Sequence, residues 1–143
     1  MMLVGCQGDP YSGTYTRTRP NETDLIGRWV PDAATLAYMR TGGGYDTSRM
    51  HTRIVLRSDG TFELFDMPDW WRDGFGRSHG SFESSSGKWN VGQHPDDKSW
   101  EIELAFRAWN TSMSLRGQKP PYLIHVTLGD PDQNDAMVFV KAD

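Results

Sequence analysis

Thr52-Arg53-Ile54-Val55-Leu56-Arg57-Ser58-Asp59-Gly60-Thr61-Phe62-Glu63-Leu64-Phe65 alternates apolar and polar residues on both sides of an Asp-Gly pair. Strand side chains point to opposite faces with a period of two. Ile54, Leu56, Phe62 and Leu64 therefore share one face, and Arg53, Thr61 and Glu63 the other. Asp59-Gly60 suits a primed turn, whose two central positions both need positive φ. The stretch reads as a β-hairpin with one buried and one wet face, and the chain on either side repeats that logic.

Upstream, Leu25-Ile26-Gly27-Arg28-Trp29-Val30 is a strand with Leu25, Gly27 and Trp29 on one face, ended by Pro31-Asp32. Asp32 is placed to cap a helix over 33–40, which Gly42-Gly43-Gly44 stops. Those glycines lack the Lys-Ser/Thr of a phosphate-binding loop and read as a link. Downstream, 84–91 forms a strand with Trp89 and Val91 inward. Trp100-Glu101-Ile102-Glu103-Leu104-Ala105-Phe106 alternates apolar and acidic, so Glu101 and Glu103 read as the polar half of a strand. Tyr122, Ile124, Val126 and Leu128 face in, which turns His125 out. Met137-Val138-Phe139-Val140 is apolar on both faces and closes the domain as a strand covered on both sides. The expected fold is all-β: a single antiparallel up-and-down β-barrel or meander of about seven or eight strands, with one short helix after the first.

Composition agrees. The 143 residues fit one domain and a core that needs no disulfide or metal. Six Trp, six Phe and five Tyr favour strands. A net charge of −4 and a pI near 5.5 offer no basic footprint for nucleic acid. His51, His79, His94 and His125 have no partner at ligand spacing, so neither a metal nor a cofactor is expected. The 129–135 stretch places oxygens as a calcium loop would, but Asp135 stands where glycine is needed and Lys141 where a bidentate glutamate is needed; it reads as a turn.

Gly27-Arg28-Trp29 is the Gly-x-Trp that lipocalins and their relatives carry in the first strand. With the Asp-Gly-Thr hairpin and the final apolar strand, residues 24–143 resemble the small bacterial lipocalin-like (calycin-type) domains. The resemblance implies that Gly27 and Trp29 form the barrel floor. A late arginine packs across that tryptophan in the family, and this chain offers Lys141 instead. Leu3-Val4-Gly5-Cys6 resembles the bacterial lipobox, which implies lipidation at Cys6, although Met1-Met2 leaves no charged or long apolar region before it. Residues 7–22 are polar, Gly- and Pro-bearing and aperiodic, so residues 1–23 read as a truncated signal followed by a flexible tether. The implied address is the bacterial cell envelope, with membrane attachment through the lipid alone; a cytoplasmic protein with an irrelevant thiol is the alternative.

Met67-Pro68-Asp69-Trp70-Trp71-Arg72-Asp73-Gly74-Phe75-Gly76-Arg77-Ser78-His79-Gly80 fits no period. Asp69, Trp70, Trp71, Arg72, Phe75, Arg77 and His79 are the candidate binding residues, because Trp, Tyr and Arg dominate interfaces. Equally, the tryptophans and Phe75 can fold back as a lid. Ser78-His79 with Asp69 or Asp73 supplies the residue types of a hydrolase, but no Gly-x-Ser-x-Gly elbow is present. The function expected is a non-enzymatic, monomeric, lipid-anchored envelope protein that binds a protein partner or a small apolar ligand at the barrel end carrying this loop. A hydrolase using the 67–80 loop and a purely structural barrel are the alternatives.

Overall fold

The computed structural model describes residues 10–73, 75–129 and 135–142. Eight strands, β1 (Gly27–Pro31), β2 (Arg53–Leu56), β3 (Thr61–Pro68), β4 (Phe82–Gln93), β5 (Trp100–Ala105), β6 (Asn110–Arg116), β7 (Leu123–Thr127) and β8 (Ala136–Lys141), pair antiparallel in chain order. β8 returns to β1 through Trp29↔Lys141, Val30↔Val140 and Pro31↔Phe139, which closes the barrel and leaves no edge strand. The fold is the all-β, lipocalin-like up-and-down barrel expected from the alternation. Its helix, α1 (Ala33–Thr41), follows the first strand, with the Asp32 carboxylate accepting the Thr35 amide at 2.8 Å. α1 lies on β8, where the Val138 amide donates to the Thr35 hydroxyl, so the outer side of β8 is covered in part, with Val138 and Val140 half-buried where two apolar faces predict full cover.

Two local geometries depart from expectation. In the β2–β3 turn only Gly60 has positive φ, because the Asp59 carboxylate holds the Thr61 amide and hydroxyl at 2.9 and 2.6 Å. The result is a three-residue turn with glycine at the left-handed bulge position, not a primed turn. β3 also runs past Phe65, the expected end. A bulge between Leu64 and Met67 places Asp66 at φ 48° and turns Met67 inward. The His51 amide, Thr52 hydroxyl and Ser84 hydroxyl all hold Asp66. The strand therefore takes up Met67 and Pro68, and β4 begins at Phe82, two residues earlier than the pattern gives.

Among the described residues the middle of the interior is filled. Trp29, Ile54, Phe62, Ile102, Ile124 and Phe139 have 0% accessible surface, and a void large enough for water would give its walls some. In an up-and-down barrel successive connections alternate between the two ends. One end, the floor, carries the turns 57–60, 94–99 and 117–122; the other, the mouth, carries 32–52, 69–81, 106–109 and 128–135. At the floor the Trp29 indole N–H donates to the Leu25 carbonyl at 2.9 Å, and Lys141, paired opposite Trp29, reaches the Asp24 carbonyl at 3.2 Å. Gly27 opens β1 there at φ 141°.

The described part of the segment expected as a flexible tether packs on the barrel wall. Where β5 and β6 separate, the Thr16 amide donates to the Leu115 carbonyl at 2.9 Å and the Thr16 carbonyl accepts the Trp100 amide at 2.8 Å. Tyr15 and Thr16 are buried. The composition that suggested a tether misleads because backbone pairing, with the Tyr11 and Tyr15 rings beside it, fixes this strap. The strap also changes the fate of His125. His125 does point outward, but the rings of Tyr11 and Tyr15 cover it at 4.5 and 5.6 Å, leaving it 2% exposed. Cys6 and positions 130–134 of the turn read against calcium lie outside the described residues.

Candidate functional site at the barrel mouth

Asp69–Arg72 forms a single 3-10 turn directly after β3, which swings both tryptophans back over the barrel. Trp70 is 2% exposed and Trp71 8%. Trp70 lies against the rings of Tyr38 and Tyr45, each 5.2 Å away, and its indole N–H meets the Met137 sulfur at 3.3 Å. A Cβ at Gly43 would collide with the rings of Tyr45 and Trp70, so Gly43, in the stretch read as a link, lets the 42–45 chain lie against the cap.

Asp69 ties the loop together. Its carboxylate accepts the Tyr45 hydroxyl at 2.6 Å, the Ser81 hydroxyl at 2.6 Å and the His79 and Ser81 amides at 3.1 and 3.3 Å. Burial alone would raise the Asp69 carboxyl, but these donors, led by Ser81 and Tyr45, hold it below the ordinary carboxylate range. Burial, and next the bond to Asp69, push the Tyr45 phenol up to about 12.

The rim beside Trp71 is built from residues that sequence reasoning did not join to the loop. Phe106 and Trp109, from the β5–β6 turn, stack face to face with centroids 4.3 Å apart and planes 1° apart. Trp71 sits 6.2 and 6.0 Å from them, and its indole N–H donates to Glu83 at 2.9 Å. The same Glu83 oxygen takes the Arg72 Nε at 2.9 Å, which sets the guanidinium 5.1 Å from the Trp109 ring centre. Between Arg72 and Trp109 lies a shallow cleft of about 260 Å³. The signal in the sequence is Trp109, which follows the Trp100–Phe106 strand and so falls at the same end of an up-and-down barrel as the 67–80 loop.

Beyond Arg72 the loop crosses the mouth to the β7–β8 connection. Gly76 and Gly129, both with positive φ, meet back to back, where a Cβ on Gly76 would lie 3.1 Å from the Gly129 nitrogen. Phe75 stands out at 78% exposed, with the Arg77 guanidinium 4.8 Å from its ring centre. His79 Nε2 lies 3.2 Å from Asp73, whose carboxyl is held low by the Phe75 amide first and then by His79. The Ser78 hydroxyl donates to the Gly43 carbonyl and accepts the Gly80 amide, so it is engaged away from His79. The seven candidates thus do not form one site. Asp69, Trp70 and Trp71 build the cap, Arg72 belongs to the rim cleft, and Phe75, Arg77 and His79 occupy the outer tip.

Among the described residues no group of three His, Cys, Asp or Glu is placed to hold a metal ion. A groove of about 370 Å³ on the outer wall of β4–β6 brings Asn90, Glu101 and Glu103 together; Glu101 is 7% exposed there, and burial raises its carboxyl. Fold and site together define an eight-stranded up-and-down barrel with a filled interior and a mouth closed by its own aromatic loop. Comparison of the chain with protein-family models, with curated proteins and with solved structures gives no match.

Proposed function

We propose that this protein is a non-enzymatic, lipid-anchored, monomeric protein of the bacterial cell envelope that binds a protein partner at the mouth of its barrel, through the rim cleft of Arg72, Phe106 and Trp109. The observation that carries this reading is the placement of a stacked aromatic pair and an arginine, half in solvent, beside a cap that is itself buried. Arginine and tryptophan are the side chains that anchor interfaces. The filled interior favours a protein partner over a small apolar ligand, which needs a cavity that buries most of its surface. Barrel closure supports the monomer, because no strand edge is left to pair with a second copy. The engaged Ser78 hydroxyl supports a binding role over hydrolysis in the 67–80 loop. The lipobox-like Leu3-Val4-Gly5-Cys6 supports the address, in keeping with small bacterial lipocalin-like lipoproteins.

A photo-crosslinking amino acid at Trp109 in growing cells tests the site. One discrete protein adduct is expected, lost when Arg72→Glu is added and absent when the probe is at Ser58 in the floor turn. The same adduct from both positions, or none from Trp109, sinks the reading. Lipidation is tested separately by Cys6→Ser, which should move the protein from the detergent phase to the aqueous phase.

A further inference from the structure

We infer that the side of the barrel carrying α1 and the tip of the 69–81 crossing lies against the bilayer, with Phe75 in the headgroup region and the Arg72–Trp109 cleft turned away from it. This rests on the lipid-anchor reading and says how the anchored molecule is oriented. The first observation is the strap. Because the strap is held to the wall from Tyr11 onward, Cys6 is five residues from the first held position, a reach of roughly 17 Å at full extension. The lipid cannot sit at the end of a long stalk.

The second observation is where the strap leaves. Tyr11 lies between the Arg116 guanidinium and the His125 ring and shares a cleft of about 180 Å³ with Asp32, Thr35 and Tyr38 of the helix side. The chain therefore runs out beside α1. The third is the distribution of exposed apolar surface. Among the described residues the large hydrophobic side chains in solvent are Tyr38, on α1, and Phe75, on the tip that reaches the β7–β8 connection. Both stand on the side where Tyr11, at the start of the strap, meets the helix. Arg77 stacks on Phe75, and Arg40 is exposed in the last turn of α1. Aromatic rings flanked by arginine suit a headgroup layer, where the ring enters the acyl boundary and the guanidinium meets phosphate. The Phe106–Trp109 pair, from the β5–β6 turn, meets Arg72, from the β3–β4 connection, so the cleft lies over β4 and β5, opposite β8 and β1 in the strand order.

The test uses the full lipidated chain, in which Cys6 is blocked and an introduced cysteine is the sole thiol. Phe75→Cys, Arg77→Cys and Asn110→Cys are each labelled with bimane and reconstituted on phosphatidylethanolamine–phosphatidylglycerol vesicles. Iodide quenching at positions 75 and 77 should fall about threefold relative to the labelled protein in solution, while position 110 stays open. Shielding at position 110, or equal quenching at all three on protein that floats with the vesicles, overturns the orientation and leaves the anchor standing. Protein that fails to float with the vesicles removes the anchor reading and this inference with it.

Discussion

Four donors converge on the Asp69 carboxylate, from Tyr45, His79 and Ser81, and they close the 69–81 connection upon the β1–β2 connection. Asp69→Asn keeps the shape but turns one acceptor oxygen into a donor amide, so at least one of these groups loses its partner. The expected loss is about 1–3 kcal/mol in urea unfolding at pH 7. The charge gives this a pH signature. With the folded pKa below the ordinary value, the ionised carboxylate contributes its full stabilisation above the unfolded pKa of about 3.9 and loses it as pH falls through the folded value. Wild type and Asp69→Asn should therefore converge in stability as pH drops from about 4 downward. A gap that stays constant across that window would mean that the donors do not depend on the carboxylate charge.

At the level of the element, the 69–81 connection is two things in one chain: a buried cap and an exposed tip. Trp70→Ala removes a side chain enclosed by Tyr38, Tyr45 and Met137 and should cost about 3–5 kcal/mol. Phe75→Ala, on the exposed tip, should stay within about 0.5 kcal/mol. Thermal unfolding of the two variants separates the roles, and comparable losses would mean the cap does not hold the mouth. The sequence discloses β2, most of β3, β5 and β7 because each turns its apolar side chains to the interior, which writes itself as a period of two even where Glu101 and His125 are buried on the outer face. It conceals the cap for a physical reason. Trp70 packs on Tyr45, 25 positions earlier, and on Met137, 67 positions later, and no local period records contacts made across the open end of a barrel. The Asp66 bulge hides the end of β3 similarly, by shifting the register between Leu64 and Met67.

For the whole molecule, the strap is the part least visible in the sequence and the one that completes the wall. Its anchoring bonds are mostly between backbone groups, or from side chain to backbone: Thr16 to Leu115 and Trp100, Thr14 to Gly117, Gln118 to the Tyr15 carbonyl. Backbone pairing carries no side-chain pattern, so a polar, Gly- and Pro-bearing stretch looks like a linker although it lies between two strands as a third would. Its loss should be felt locally. Deleting residues 1–19 leaves the Trp100 amide and the Leu115 carbonyl without their partners and exposes His125 and the pocket of Tyr15. The entropy of ordering the strap offsets part of that loss, so the expected global cost is about 1–3 kcal/mol. Hydrogen exchange gives the sharper readout. Amides of β6, β7 and the start of β5 should exchange faster in the truncated protein, while those of the β2–β3 hairpin, across the barrel from the strap, keep their protection. Uniform loss of protection would mean that the strap acts on global stability alone; no change at Trp100 would mean that the segment is a tether resting on a wall already complete without it.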